Sequence, residues 1–85
     1  MRKVNTEANL RSLMRELAHD LECGDSVEIK LDKLELLSMV PVYTIKNGLS
    51  MVDAREEGRG AIVVVENRFG EKCEDSEVSN NARKR

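Results

Sequence analysis

The chain has 85 residues, 40% of them hydrophobic and 35% charged, with Tyr43 and Phe69 its only aromatics. That is one domain with a thin core, because a fold of this size buries only about 60% of the surface its unfolded chain exposes. Sixteen acidic against fourteen basic side chains leave a net charge of −2, so the whole-domain basic footprint usual in nucleic-acid binders is missing, and no apolar run approaches the ~20 residues of a membrane span.

The opening Met-Arg-Lys-Val-Asn-Thr leads into a charged stretch and does not read as a signal peptide. From about Thr6 to Glu22 the spacing predicts a helix. Leu10, Leu13, Met14, Leu17 and Leu21 recur at three- and four-residue steps, while Arg11, Arg15, Glu16 and Asp20 take the other face. Gly24 suits the end of that helix. Ser26 to Leu31 alternates, with Val27, Ile29 and Leu31 apolar, which is the period of a half-buried strand. Residues 32–39 are open to two readings: a two-turn helix capped by Asp32 with Leu34 and Leu37 inward, or an extension of the strand.

Pro41, the only proline, is expected to push Val40 out of helical geometry and fits the first turn of a new helix. Val42, Ile45, Leu49 and Val52 then follow at steps of three and four, predicting a helix that runs to about Glu57 and is broken by Gly58 and Gly60. The β-branched run Ile62-Val63-Val64-Val65 reads as a mostly buried strand. Beyond Phe69 the composition turns polar, with one isolated Val, and residues 70–85 are expected to be a disordered tail. An acidic cluster from Glu71 to Glu77 in that tail precedes Arg83-Lys84-Arg85, a basic arm that would add phosphate contacts if it acts. Residues 1–70 carry ten Lys/Arg against twelve Asp/Glu, and the tail carries four of each.

Little points to catalysis or metal chemistry. His19 and Cys23 lie four apart on one helix face, and Cys73 would be a third zinc ligand, but no Cys-x-x-Cys or second His completes a site. A Cys–His nucleophile pair would lack a pocket around it. Gly58-Arg59-Gly60 follows a helix and precedes a strand, the reverse of a phosphate loop. The chain is therefore expected to be neither an enzyme nor a cofactor protein. Two cysteines fifty positions apart are too few for a disulfide framework, and an intracellular, cytoplasmic setting is the default.

The order helix, strand, short helix, helix, strand is also that of a winged helix-turn-helix, and residues 31–66 resemble that DNA-binding family. Leu34 and Leu37 look like the packing residues of a scaffold helix, Val40 like the apolar turn residue, Thr44-Ile45 like a frequent Thr-Val pair, and Gly48-Leu49 like the small-then-apolar pair of a recognition helix. Glu57-Gly58-Arg59-Gly60-Ala61 resembles the start of a wing. Glu35 and Met39 depart from the pattern, standing where Ala and Gly are usual. The resemblance implies an α+β, mostly-α winged-helix domain over residues 1–69, acting as a small DNA-binding transcriptional regulator. Its recognition helix (about 42–57) would enter the major groove and present Tyr43, Lys46, Asn47 and Ser50 to duplex DNA. Arg59 at the wing tip and Arg55 near it would reach phosphates. Dimerisation through the first helix would offset the small number of cations.

The alternative is a compact α+β module that binds another protein. Strands at Ser26 and Ala61 would form a sheet covered by two helices, and a sheet edge or an apolar helix face would be the binding surface. What separates the two is whether Lys46, Asn47, Arg55 and Arg59 converge on one face with Tyr43.

Overall fold

The computed structural model describes residues 2–69 and Cys73. Its elements in chain order are β1 (Arg2–Val4), α1 (Glu7–Asp20), β2 (Ser26–Leu31), a 3-10 helix (Leu34–Met39), α2 (Val40–Lys46), β3 (Leu49–Glu57) and β4 (Gly60–Asn67).

The first helix forms where the apolar stripe predicts it. Thr6 sits in extended geometry as its N-cap, and its hydroxyl accepts a hydrogen bond from the Asn9 amide at 3.1 Å. That satisfies one of the amides left without a partner in the first turn. Leu10, Leu13, Met14 and Leu17 are all buried. The helix ends at Asp20, and Gly24 turns the chain back at a φ of 92°.

The strands form one sheet in the order β1-β2-β4-β3. β1 and β2 run parallel, with Arg2 opposite Ile29 and Val4 opposite Leu31; a parallel pair cannot be joined by a tight turn, and α1 supplies the crossover. β2 and β4 are antiparallel from Ser26 opposite Glu66 to Leu31 opposite Ala61. β4 returns from β3 through the two-residue turn Gly58-Arg59, with a φ of 61° at Gly58 alone. Positive φ at the first central residue only is the type II′ pattern, whose twist matches the strands it joins. The β3–β4 register slips between Met51 and Asp53, so Val52 is a bulge.

Residues opposite each other in register share a face, so Val27, Ile29 and Leu31 of β2 line up with Val65, Val63 and Ala61 of β4. This face packs against Leu10, Leu13, Met14 and Leu17 of α1, Leu36 of the 3-10 helix and Val40 of α2 to make the core. The other face is mostly polar. Ile62 lies there at 4% exposure, between Lys30 and Arg55 in register, a position where long charged side chains cover apolar surface with their stems.

The structure corrects the expected fold in four respects. It is an α+β fold built on a four-stranded mixed sheet, not a mostly-α winged helix, and the order helix-strand-helix-helix-strand gives way to strand-helix-strand-helix-strand-strand with a 3-10 segment inserted. Residues 49–57 are a strand, so the recognition helix of 42–57 does not exist; α2 stops at Lys46, and Gly48 at a φ of 74° turns the chain into β3. The helical spacing of Val42, Ile45, Leu49 and Val52 was misleading because three of the four face solvent, whereas Asn47-Gly48 is a turn signal. In residues 34–39 the most deeply buried side chain is Leu36, Leu37 is half-buried against the core as expected, and Leu34 is 42% exposed; tight 3-10 winding turns Leu36 inward in place of the Leu34 of an α-helical reading. Asp32 does not cap that segment, whose N-cap is Lys33.

The two cysteines are joined rather than free: Cys23, in the loop after α1, forms a disulfide with Cys73. Cys73 is 3% exposed, although its sequence neighbourhood reads as tail. The disordered tail expected for the rest of residues 70–85, including the acidic cluster and Arg83-Lys84-Arg85, lies outside the described residues. No helix among the described residues is long and apolar enough to cross a membrane.

Candidate functional site

The six residues expected to contact DNA do not come together. Tyr43, Lys46 and Asn47 are on or just after α2, Ser50 is at the start of β3, Arg55 is near its end, and Arg59 is at the tip of the hairpin. β3 separates the two groups: Ser50 and Arg55 are five residue steps apart on it, roughly 16 Å at about 3.3 Å per step, and Arg59 lies further along the hairpin. Arg55 and Ser50 pair in register with Ile62 and Glu66, on the face turned away from the helices.

Several of these side chains are already engaged. The Asn47 amide nitrogen donates to the Tyr43 carbonyl at 2.8 Å, closing the last turn of α2 in place of reading a base edge. The Tyr43 hydroxyl donates to Glu7 Oε2 at 2.6 Å, and its ring packs against the core cluster. This hydrogen bond to Glu7, helped by desolvation and the Glu7 charge against a smaller opposing effect of Arg11, holds the phenol above the ordinary tyrosine range. Lys46 Nζ lies 5.7 Å from the Tyr43 ring centroid, within cation–π range. The Arg59 carbonyl accepts from the Leu34 amide at 3.2 Å, which ties the hairpin tip to the 3-10 helix.

The structure instead opens an apolar groove that sequence reading missed. Pro41, Thr44 and Ile45 of α2 form one wall, Leu49, Ser50 and Met51 of β3 the floor, and Phe69 the far rim, around a volume of about 580 Å³. Ile45 is 76% exposed and Phe69 68% exposed, an unusual share of solvent for two large apolar side chains beside one concavity. Thr44 cannot contribute its hydroxyl, which is buried and donates to the Pro41 carbonyl at 2.9 Å. The groove's chemistry is therefore apolar.

Two neighbours place the groove. Its floor is the first three residues of β3, the outermost strand of the sheet, whose outer edge pairs with no other strand among the described residues. Its rim is set by the end of β4: the Phe69 amide donates to the Gly48 carbonyl at 2.8 Å. Just before it, Asn67 is fully buried. Its side-chain nitrogen donates to the Leu21 carbonyl at 2.7 Å, its amide donates to Asp25, and its carbonyl accepts from Gly24. One signal for the groove was present in the sequence, namely Phe69 standing directly after a strand where no period buries it. The exposure of Ile45 was hidden by the helical pattern.

Cys23 and Cys73 form the disulfide and so are not available as the thiolates of the zinc site considered with His19. No cluster of three or more His, Cys, Asp or Glu side chains able to hold a metal occurs among the described residues. Compared with known proteins, the chain matches no family model, no curated protein and no solved structure.

Proposed function

We propose that this chain is a protein-interaction module that binds an extended segment of a partner protein along the open edge of β3, anchoring one large apolar side chain in the groove between α2 and Leu49–Met51. The observation that carries this reading is the continuity of two features: a strand edge that pairs with no other strand among the described residues and, at its N-terminal end, an apolar groove rimmed by the exposed Ile45 and Phe69. A strand laid on such an edge gains main-chain hydrogen bonds, and alternate side chains turn into the neighbouring pocket. The bulge at Val52 and the charges Asp53, Arg55, Glu56 and Glu57 occupy the other half of the edge, and both are devices that discourage indiscriminate strand pairing. Docking is thereby confined to the Leu49–Met51 end, where the groove supplies selectivity.

Burying a Leu- or Phe-sized side chain is worth about 1.5–3 kcal/mol, which is on the order of ten- to a hundredfold in affinity. The test is selection of displayed decapeptides on the full-length chain, followed by anisotropy titration of the selected peptides against wild type, Ile45→Ser and Phe69→Ser. Both residues are exposed, so the substitutions leave folding nearly unchanged. The reading expects selected peptides to share a large apolar residue and to lose at least tenfold in affinity for either variant. Equal binding to the variants, or no enrichment, contradicts it. A mixed-sequence DNA duplex titrated alongside at two salt concentrations decides the competing ligand class, since phosphate binding weakens steeply with salt.

A further inference from the structure

We propose that the sheet face turned away from the helices is the interface of a symmetric dimer, in which a second copy of this chain lies sheet on sheet against it. This surface is separate from the groove between α2 and β3. α1, α2 and the 3-10 helix all pack on the inner face, which leaves the outer one without a helix among the described residues. Yet β4 is apolar on both sides. Its outward residues Ile62 and Val64 stand between charged outward neighbours on β2 and β3. A strand with one wet face alternates, as β2 does with Glu28 and Lys30 outward, whereas an unbroken apolar run belongs to a strand covered on both faces. Ile62 is 4% exposed and Val64 is half-buried, so the apolar strip is shallow and the charges around it choose the occupant.

The register sets these residues in rows across the sheet. One row reads Lys3, Lys30, Ile62, Arg55. The next, two residues along each strand, reads Glu28, Val64, Asp53. The rows lie roughly 6.8 Å apart at about 3.4 Å per residue. None of the five charged side chains has an ion pair among the described residues. A basic row beside an acidic one suits neither a polyanion nor a polycation. It suits a surface that carries the same two rows in reverse order. A two-fold axis lying parallel to the rows and midway between them supplies that surface from a second copy. The rotation exchanges the rows and leaves each residue's place across the sheet unchanged. Lys30 then faces Glu28 of the second copy, Arg55 faces its Asp53 and Ile62 faces its Val64, each contact occurring twice, as an isologous interface requires. Stacked sheets lie about 10 Å apart with their strands nearly aligned, a gap that these side chains span. Four strands and four rows make a face about 19 by 20 Å, so two copies bury on the order of 1,000 Å², the low end for a specific interface, and the dimer is weak and reversible.

Sedimentation equilibrium on the full chain, with no reductant and from about 5 to 500 µM at about 0.05 and 0.5 M salt, tests the dimer without needing any other partner. The expected result is a monomer–dimer equilibrium that weakens at the higher salt. Lys30→Glu with Arg55→Asp makes both rows acidic, and Glu28→Lys with Asp53→Arg makes both basic. Like charges then oppose each other across the interface, so each variant alone should associate at least about tenfold more weakly than wild type. Mixed in equal amounts, the two should form a heterodimer at least about tenfold tighter than either variant with itself, because the acidic rows of one meet the basic rows of the other. Circular dichroism checks that the variants are folded. Should one unfold, the single reversal Lys30→Glu should weaken the dimer and the swap of Lys30→Glu with Glu28→Lys should restore it. A chain that stays monomeric at the highest concentration and lower salt overturns the proposal. So does a dimer that the reversals leave unchanged, which would use another surface, and so do two folded variants that fail to associate on mixing.

Discussion

Replacing Gly60 with alanine asks the chain to accept one methyl group at the first residue of β4, and the surroundings show what that costs. A Cβ built there lands on the Leu31 carbonyl oxygen and comes within 3.0 Å of the Asp32 carbonyl carbon. Both are backbone atoms at the end of β2, and neither can swing away as a side chain would. The φ of Gly60 is not positive, so the whole penalty comes from close approach. Overpacking of this kind costs typically 1–3 kcal/mol, and contact with paired backbone puts Gly60→Ala near the top of that range. For a domain of this size about 4–8 °C of Tm accompanies each kcal/mol, which gives a fall of roughly 8–24 °C by circular dichroism. Gly58→Ala is the control: its φ is 61° but nothing lies within 4 Å of the new methyl, so it carries only the backbone penalty of a positive φ, about 1–3 kcal/mol. A Gly60→Ala protein within about 0.5 kcal/mol of wild type, the scatter of a neutral surface change, would refute the close packing of β4 on the end of β2.

Truncation in the 3-10 segment distinguishes its winding: Leu36→Ala should cost about 2–4 kcal/mol and Leu34→Ala under 1 kcal/mol in urea unfolding, the reverse of what an α-helix carrying Leu34 inward requires. Tyr43 should ionise above the ordinary value of about 10 when followed by tyrosinate absorbance, and Glu7→Gln should lower its midpoint. The sign for stability follows from the raised pKa. The folded state holds the proton more tightly, so the Tyr43–Glu7 contribution is fully present below about pH 10 and is lost as pH rises through the folded midpoint; in Tyr43→Phe that alkaline loss should disappear. Asn67→Ala removes a buried donor and leaves the Leu21 carbonyl without that partner, and should lower stability by about 2 kcal/mol in the same assay.

Some of this fold is legible in the chain and some is not, for identifiable reasons. Leu10, Leu13, Met14 and Leu17 announce α1, and the alternation from Val27 to Leu31 and the run Ile62–Val65 announce β2 and β4, because in each case burial and periodicity agree. β1 escapes because three residues are too few to show a period. β3 escapes because the bulge at Val52 breaks its alternation and because Val42, Ile45, Leu49 and Val52 happen to keep helical steps. A helix continued through β3 would put Ser50 on one face with Tyr43, Lys46 and Asn47, whereas the chain turns at Asn47-Gly48 and Ser50 belongs to a strand. The groove depends on α2, the start of β3 and Phe69 meeting in space, and no local pattern encodes that meeting. The disulfide was likewise invisible: a separation of fifty residues says nothing about whether two cysteines approach.

The most direct measurement is an amide chemical-shift titration of the oxidised full chain with one selected apolar peptide. The account predicts that the largest changes fall on Thr44, Ile45, Leu49, Ser50, Met51 and Phe69, with amides at the start of β3 gaining protection from exchange as a strand is added to its edge. Changes centred instead on Arg55, Arg59 and the polar face of the sheet, with the groove unmoved, would contradict it.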